Sequence, residues 1–179
     1  NIALSGALTI QVGNGGGNGG IGRLDGVISN SPVITKTGNG ILHLNNAANS
    51  FSGDLNVNVG TVRVSQNGAL GTTAGSTNVA SGATLNFDGA FSYTTNEFLR
   101  VTGPGVNATG AITKTNGDGA ISALIALAGN TTIASNTPGN TLTLNNISVN
   151  ASDLAFDGAG DILVNSDLSP ASNSLNNLN

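Results

Sequence analysis

The sequence predicts an all-β solenoid, in which short strands stack as successive coils around a narrow aliphatic core. Three observations predict it. Apolar residues alternate with Asn and Thr in short runs, as strands with one buried face require. These runs are separated by Gly, Asn and Ser turns, and several recur as close copies along the chain. The runs stay within about six residues, and the helical period of about 3.6 residues fits none of them.

Composition narrows the classes of function. The chain has 179 residues, of which 38% are hydrophobic, enough for one domain with a real core. The net charge is −4 and the five basic residues are scattered, which argues against nucleic-acid binding through phosphate neutralisation. Cysteine is absent, which excludes disulfides and thiolate metal sites and fits a secreted bacterial protein.

The ends of the sequence suggest a piece of something longer. No apolar run approaches the roughly 18 residues of a transmembrane helix. Asn1 opens directly in strand-like sequence, with no signal peptide before it. We therefore expect residues 1–179 to be a single β-helix segment cut from a longer polypeptide.

The first elements in chain order are an alternating run and a loop. The run extends from Ala7 to Val12, and residues 13–22 form a Gly/Asn-rich tract that we expect to project from the body. Strand character returns at Leu24 to Ser29.

Val33 to Val64 is the stretch around which the chain is organised. It contains short strand-type runs, each with one apolar stripe and one Asn/Thr stripe. The residues predicted to face inward are Leu42, Leu44, Leu55, Val57, Val59, Val62 and Val64.

Later segments copy earlier ones at unequal spacing. Residues 112–119 copy 34–40, residues 140–146 copy 40–46, and residues 154–159 echo 85–90. A propeller or a leucine-rich repeat would hold one period, so unequal spacing favours a solenoid with loops of variable length. At roughly 20–25 residues per coil the chain would make about eight coils. Residues 169–179 lose the alternation and are predicted to be a frayed end or a linker.

The stretch from Val33 to about Phe87 resembles the passenger-associated transport repeat, also called the autotransporter-associated β-strand repeat. The matching segments are Ile34-Thr35-Lys36-Thr37-Gly38-Asn39-Gly40-Ile41-Leu42-His43-Leu44, Asn49-Ser50-Phe51-Ser52-Gly53, Gly60-Thr61-Val62-Arg63-Val64, Leu70-Gly71 and Gly82-Ala83-Thr84-Leu85. The resemblance implies a right-handed parallel β-helix that is secreted and displayed on a bacterial cell surface. Ile41, His43 and Asp54 depart from the family pattern.

His43 is the single histidine and was weighed as a catalytic group. It lies between two inward leucines, so it points outward, and no local sequence supplies the carboxylate and nucleophile that catalysis needs. We expect a solvated surface position.

Asp153, Asp157 and Asp161 form the densest carboxylate group. Clustered carboxylates bind calcium or serve as a glycosidase acid/base pair. Asp157-Gly158 reads first as a turn in which Asp bonds its own backbone. Turn structure is the favoured interpretation, and calcium binding stays an alternative.

Weaker signals complete the search. Residues 15–20 satisfy G-x-G-x-x-G without a following helix, and residues 19–24 begin like a calcium-binding nonapeptide but lack its Asp. Four N-x-Ser/Thr sequences start at Asn107, Asn130, Asn146 and Asn150, a number expected by chance in so Asn-rich a chain. A core stripe with one exposed ring is favoured over a carbohydrate-stacking patch for three aromatic residues, Phe91, Tyr93 and Phe98.

The sequence predicts a non-catalytic surface module, a stalk or adhesin body, with no catalytic residue, cofactor or metal. Two alternatives remain: a filament built by end-to-end stacking of copies, and a polysaccharide-degrading enzyme using Asp157 and Asp161. The expected partners are copies of the chain or extracellular glycans.

Overall fold

The computed structural model describes residues 2–13 and 20–168, and in them every strand pair is parallel. Successive strands on one side pair at intervals of 20 to 27 residues, as from Leu42 to Val62 and from Leu85 to Ile112. The predicted all-β parallel solenoid is confirmed. The described residues complete about seven turns, close to the expected eight.

The strands are short because each alternating run ends at a turn residue. In chain order they are β1 (Ile2–Ala3), β2 (Leu8–Gln11), β3 (Ile21–Leu24), β4 (Ile28–Ser29), β5 (Ile34–Thr37), β6 (Ile41–Leu44), β7 (Leu55–Val57), β8 (Gly60–Val64), β9 (Ser76–Val79), β10 (Ala83–Asp88), β11 (Phe98–Gly103), β12 (Ile112–Thr115), β13 (Gly119–Ile121), β14 (Leu124–Ser135), β15 (Thr141–Leu144), β16 (Ile147–Ser148), β17 (Leu154–Asp157) and β18 (Asp161–Val164). A 3-10 turn at Val106–Ala108 lies between β11 and β12.

The coils have three sides. Side 1 stacks β2, β5, β7, β9, β11, the first part of β14, and β16. Side 2 stacks β3, β6, β8, β10, β12, the second part of β14, and β17. Side 3 holds β1 with β4 at one end and β13, β15 and β18 at the other. In the coils between these two groups of strands, single backbone hydrogen bonds continue the stack on side 3, such as the one from Thr72 N to Phe51 O at 2.9 Å.

The core consists of columns of inward side chains that run from coil to coil. On side 1 one column is Leu8, Ile34, Leu55, Thr77, Leu99, Ile125 and Ile147. On side 2 a column is Leu42, Val62, Leu85, Ile112 and Ile133. Members from Ile34 to Ile147 and from Leu42 to Ile133 are buried. Parallel stacking thus joins the apolar stripes of all coils into one interior.

The corners follow their own rules, and here one prediction was wrong. Val59 was expected inside but is 39% exposed, because it stands at the corner before β8 rather than in a strand. Gly60 follows with φ 74°, and a Cβ there would lie 2.5 Å from the Gly38 carbonyl oxygen. Only glycine tolerates both the dihedral angle and the close stacking of corners.

Two further segment predictions need correction. The projecting loop was expected at 13–22, but β3 already begins at Ile21, which pairs with Ile41. Residues 14–19 of that loop and the predicted end segment 169–179 lie outside the described residues. β14 has 12 residues, twice the expected maximum, because it passes a corner without losing its pairing partners on either side.

The structure explains the unequal spacing of the sequence copies. Lys36 lies in β5 on side 1, whereas Lys114 lies in β12 on side 2, three turns and one side later. Leu42 and Leu142 are likewise four turns and one side apart. The copied unit is therefore a strand and its corner, and it is reused on different sides.

Asparagine side chains form hydrogen bonds between neighbouring coils. Asn49 is buried; its Oδ1 accepts from Ile28 N at 2.9 Å and its Nδ2 donates to Ala69 O at 2.7 Å, which links three coils. On the outer face of side 1, Asn78 Nδ2 donates to Asn56 Oδ1 at 3.0 Å. The Asn49 bonds satisfy backbone groups of the coils above and below, whereas the Asn78–Asn56 bond links side chains.

Candidate functional site

His43 points outward, as predicted, but it is not solvated. It lies between Arg23 and Arg63 in the side 2 ladder, is 9% exposed, and its Nε2 is 2.9 Å from Ser65 Oγ. Burial, with the two arginine charges, lowers the pKa of His43 below its usual value. The expected solvated position is wrong because the long neighbouring side chains cover the ring.

The aspartates separate rather than converge on a metal. Asp157 Oδ1 accepts from Gly158 N at 2.7 Å, the predicted turn, and Asp153 pairs with Asn130 through Oδ2 at 3.1 Å. Asp161 opens β18 on another side of the coil. Among residues 2–13 and 20–168, no group of three or more acidic, His or Cys residues could hold a metal ion.

The remaining weak signals resolve as ordinary structure where they are described. Arg23 and Leu24 lie in β3, so the nonapeptide-like segment forms a strand, and Arg23 Nε bonds Asp25 Oδ1 at 2.7 Å. The glycine motif at 15–20 falls largely outside the described residues. The four N-x-Ser/Thr asparagines are all exposed: Asn107, Asn130, Asn146 and Asn150.

The aromatic residues do not form a surface patch. Tyr93 is fully buried and its ring centroid lies 5.4 Å from that of Phe87, while Phe91 and Phe98 are half-buried. The guanidinium carbon of Arg100 lies over the Phe98 ring, 5.7 Å from the ring centroid. A three-ring stacking platform for carbohydrate is therefore absent from this part of the described chain.

A buried polar cluster lies inside the solenoid, and no sequence pattern predicted it. Glu97 is 2% exposed; its Oε2 accepts from Tyr93 Oη at 2.7 Å and its Oε1 accepts from Thr77 Oγ1. Burial raises the pKa of Glu97 to about 7, although both hydrogen bonds oppose the rise. The cluster fills core volume and opens onto none of the described surface grooves.

Two lysines also lie inside, where each ties down a corner. Lys36 Nζ donates to three carbonyl oxygens, those of Thr37, Gly38 and Val59, at 2.9, 2.6 and 2.9 Å. Lys114 Nζ reaches Gly89 O in the same manner. Burial lowers the pKa of both lysines. Their role is structural, since each ammonium group donates its hydrogen bonds to carbonyl oxygens that the turns leave unpaired.

The outer face of side 2 carries an open groove of about 450 Å³. Outward side chains of β8, β10 and β12 form its floor, and the 3-10 turn forms one wall. Its polar lining includes Thr61, Arg63, Asn86, Asn107, Thr113 and Asn136. The sequence did not reveal this groove because its residues come from several coils and one loop.

Internal hydrogen bonds fix the groove's shape. Thr84 Oγ1 donates to Gly110 O at 2.8 Å and accepts from Val106 N at 2.9 Å, which fastens the wall to the floor. Asn86 Nδ2 donates to Thr113 Oγ1 at 2.8 Å within the floor. The site is therefore preformed rather than assembled by a ligand.

An ion pair lies at one end of the groove, where Arg63 lines the groove and Asp88 stands behind two lining residues, Thr115 and Asn116. Arg63 Nε is 3.8 Å from Asp88 Oδ2, and the side chains are 30% and 20% exposed. Asp88 Oδ1 accepts from Thr115 Oγ1 at 2.9 Å and Asn116 Nδ2 at 2.7 Å, whereas Arg63 Nε is buried and has no hydrogen-bond partner among the described residues. Hydrogen-bonding capacity at this end therefore remains unused.

Residues 34–64, which form β5 to β8, match the family described as passenger-associated-transport-repeat. The chain carries a passenger-associated transport repeat. It is also 40% identical over 67 residues to an adhesin autotransporter, BmaC, of Brucella suis biovar 1 (strain 1330). That match covers 37% of this chain and 2% of the adhesin. No solved structure matches this one.

The passenger-associated transport repeat corresponds to defined parts of two coils. It supplies two consecutive strands of side 1 and two of side 2, with the Lys36 corner at its start and Arg63 of the groove near its end. Among the described residues, no helix has the length and apolarity that crossing a membrane would require. The repeat thus contributes one end of the groove, and the coils after it contribute the rest.

Proposed function

We propose that this chain is a section of a non-catalytic passenger that a bacterium secretes or displays on its surface, where it serves as a stalk or adhesin body. The observation that carries the proposal is the repeat itself, built into a continuous solenoid and accompanied by the similarity to an autotransporter adhesin. A stack of parallel coils makes an elongated, rigid support whose polar outer faces meet the surroundings.

Surface display tests this role. The chain is fused between an export signal and an autotransporter translocation unit, and a fusion without the chain serves as the control. We expect the chain to appear outside intact cells, where added protease removes it. Retention inside cells that export the control fusion normally would contradict the proposal.

Self-stacking of copies into a filament is a second hypothesis, which follows from the general tendency of stacked coils to associate end to end. Light scattering over a concentration series tests it: growth of rods supports stacking, and a constant monomer mass rejects it.

The hypothesis of a polysaccharide-degrading enzyme gains nothing from the geometry. Asp157 is engaged in a turn, and Asp161 lies on another side of the coil. We therefore do not propose it.

A further inference from the structure

We propose that the side 2 groove binds a neutral saccharide, with sugar hydroxyls bridging Arg63 and Asp88. This extends the proposed surface role and depends on it only for where the saccharide would be met. Binding itself is a property of the purified chain.

The first argument is the distance between the two charged groups. At 3.8 Å the Arg63 and Asp88 atoms are too far apart for a direct hydrogen bond, which ends near about 3.2 Å. Asp88 Oδ1 is occupied by Thr115 and Asn116, but Oδ2 accepts no hydrogen bond among the described residues. Arg63 Nε is itself buried, so a ligand reaches this pair at the terminal nitrogens of the guanidinium and at Asp88 Oδ2. A hydroxyl both accepts and donates, so it suits a guanidinium donor beside a free carboxylate acceptor.

The second argument is charge. Arg63 and Asp88 offset each other, and the residues that line the rest of the groove are uncharged Thr, Asn, Ile and Val. Burial lowers the pKa of the nearby His43, which favours its uncharged form. No net field selects an anion or a cation, whereas charge-assisted hydrogen bonds to a neutral polyol are available at one end.

The third argument is size and shape. A volume of about 450 Å³ falls within the roughly 300–1,000 Å³ of small-molecule sites and accommodates one or two sugar rings. Val106 and Ile41 offer apolar contact for the C–H faces of a ring, and Asn107 offers an exposed amide. The lining thus offers both apolar contact and groups that hydrogen-bond hydroxyls.

Titration of the purified chain with uncharged sugars tests the proposal. Lactose, cellobiose and diacetylchitobiose are compared with glucuronic acid and a sulfated disaccharide, each up to about 10 mM, where weak single-site binding is measurable. We expect at least one neutral disaccharide to bind and to shift the backbone amide signals of Thr61 and Asn107. No neutral binder, a stronger anionic binder, or shifts elsewhere would overturn the proposal.

Variants sharpen the test. Arg63→Gln and Asp88→Asn should each weaken binding by about tenfold or more, because each removes a charge-assisted hydrogen bond. Arg100→Gln makes the same charge change on side 1, away from the groove, and should leave affinity within about twofold. Equal affinities of all three variants would refute the assignment. If a variant fails to fold, as judged by circular dichroism, the amide shifts of the unaltered chain still decide. Failure of surface display would leave this result unaffected, so the two proposals fail separately.

Discussion

Ile34 and Thr77 occupy the same inward column on side 1, two coils apart and both beside Leu55, yet only Thr77 has a polar partner. Ile34 lies between Leu8 and Leu55, and its rung is aliphatic. Thr77 lies between Leu55 and Leu99, is equally buried, and donates a hydrogen bond to Glu97. A solenoid column thus tolerates a polar rung only where another segment of the same coil brings it a partner.

The difference shows where this fold can bury a polar group. Burying a hydroxyl without a partner costs about 1–3 kcal/mol, so the Ile34 rung could not accept one cheaply. At the Thr77 rung Glu97 satisfies the hydroxyl, and the penalty of burial then falls on the Glu97 carboxyl, whose pKa rises to about 7. One rung is insensitive to pH and the other is not.

The largest expected effect comes from placing a polar group in the aliphatic rung. Ile34→Thr removes apolar contact and buries a hydroxyl without a Glu97 to bind it, so the free energy of unfolding should fall by about 3 kcal/mol. Val33→Thr, one residue away and 41% exposed, should change it by less than about 0.5 kcal/mol. Urea denaturation measures both changes, provided that the dependence of unfolding free energy on urea concentration stays the same. If Ile34→Thr lost no more stability than the Val33→Thr control, the column would not be tightly packed.

The second prediction concerns the polar rung and pH. Because the folded pKa of Glu97 lies above its unfolded value of 4.5, this group stabilises most below pH 4.5, and its contribution is lost as pH rises through about 7. Each pH unit corresponds to ~1.4 kcal/mol, so Glu97→Gln should stabilise the chain by up to about 3 kcal/mol at pH 8.

The gain should disappear near pH 4.5, which a set of urea transitions across pH measures. Asp161→Asn removes an exposed carboxylate instead and should leave the pH profile of the unaltered chain in place. A Glu97→Gln gain of equal size at every pH would mean that Glu97 does not titrate in the folded state as its burial requires.

The smallest effect is expected from the hydroxyl partner. Thr77→Val removes the hydrogen bond that opposes the rise, so the pKa of Glu97 should move further upward. Stability at pH 8 should fall by about 1–2 kcal/mol and less at acid pH. Thr35→Val on the outward face of β5 is the control. A lower midpoint in the pH dependence of stability would contradict the hydrogen bond between Thr77 and Glu97.

Strand alternation predicted the core residues well, but not the corners. Leu42, Leu55 and Val62 are buried as expected, because alternation fixes which face a side chain takes. Val59 continued the same alternation and came out exposed, because the chain turned one residue earlier. His43 was placed on the correct face and given the wrong environment, since its cover comes from Arg23 and Arg63 in neighbouring coils.

The candidate groove could not be predicted from the sequence, because it too depends on contacts between neighbouring coils. Its floor joins Thr61, Asn86 and Thr113, which are separated by more than 20 residues each and meet only through the register of β8, β10 and β12. Its wall depends on a 3-10 turn whose position follows from the Thr84 hydrogen bonds. No local pattern records such an arrangement.

The sequence by itself determined the parallel solenoid, the passenger repeat at 34–64 and the inward stripes, because period-two alternation and glycine corners act over a few residues. The tertiary structure decided which copies share a side, why Glu97 and two lysines are buried, and where the groove opens. Those outcomes depend on coil length, which sets the register between coils, and register places in contact residues that are one turn apart in the chain.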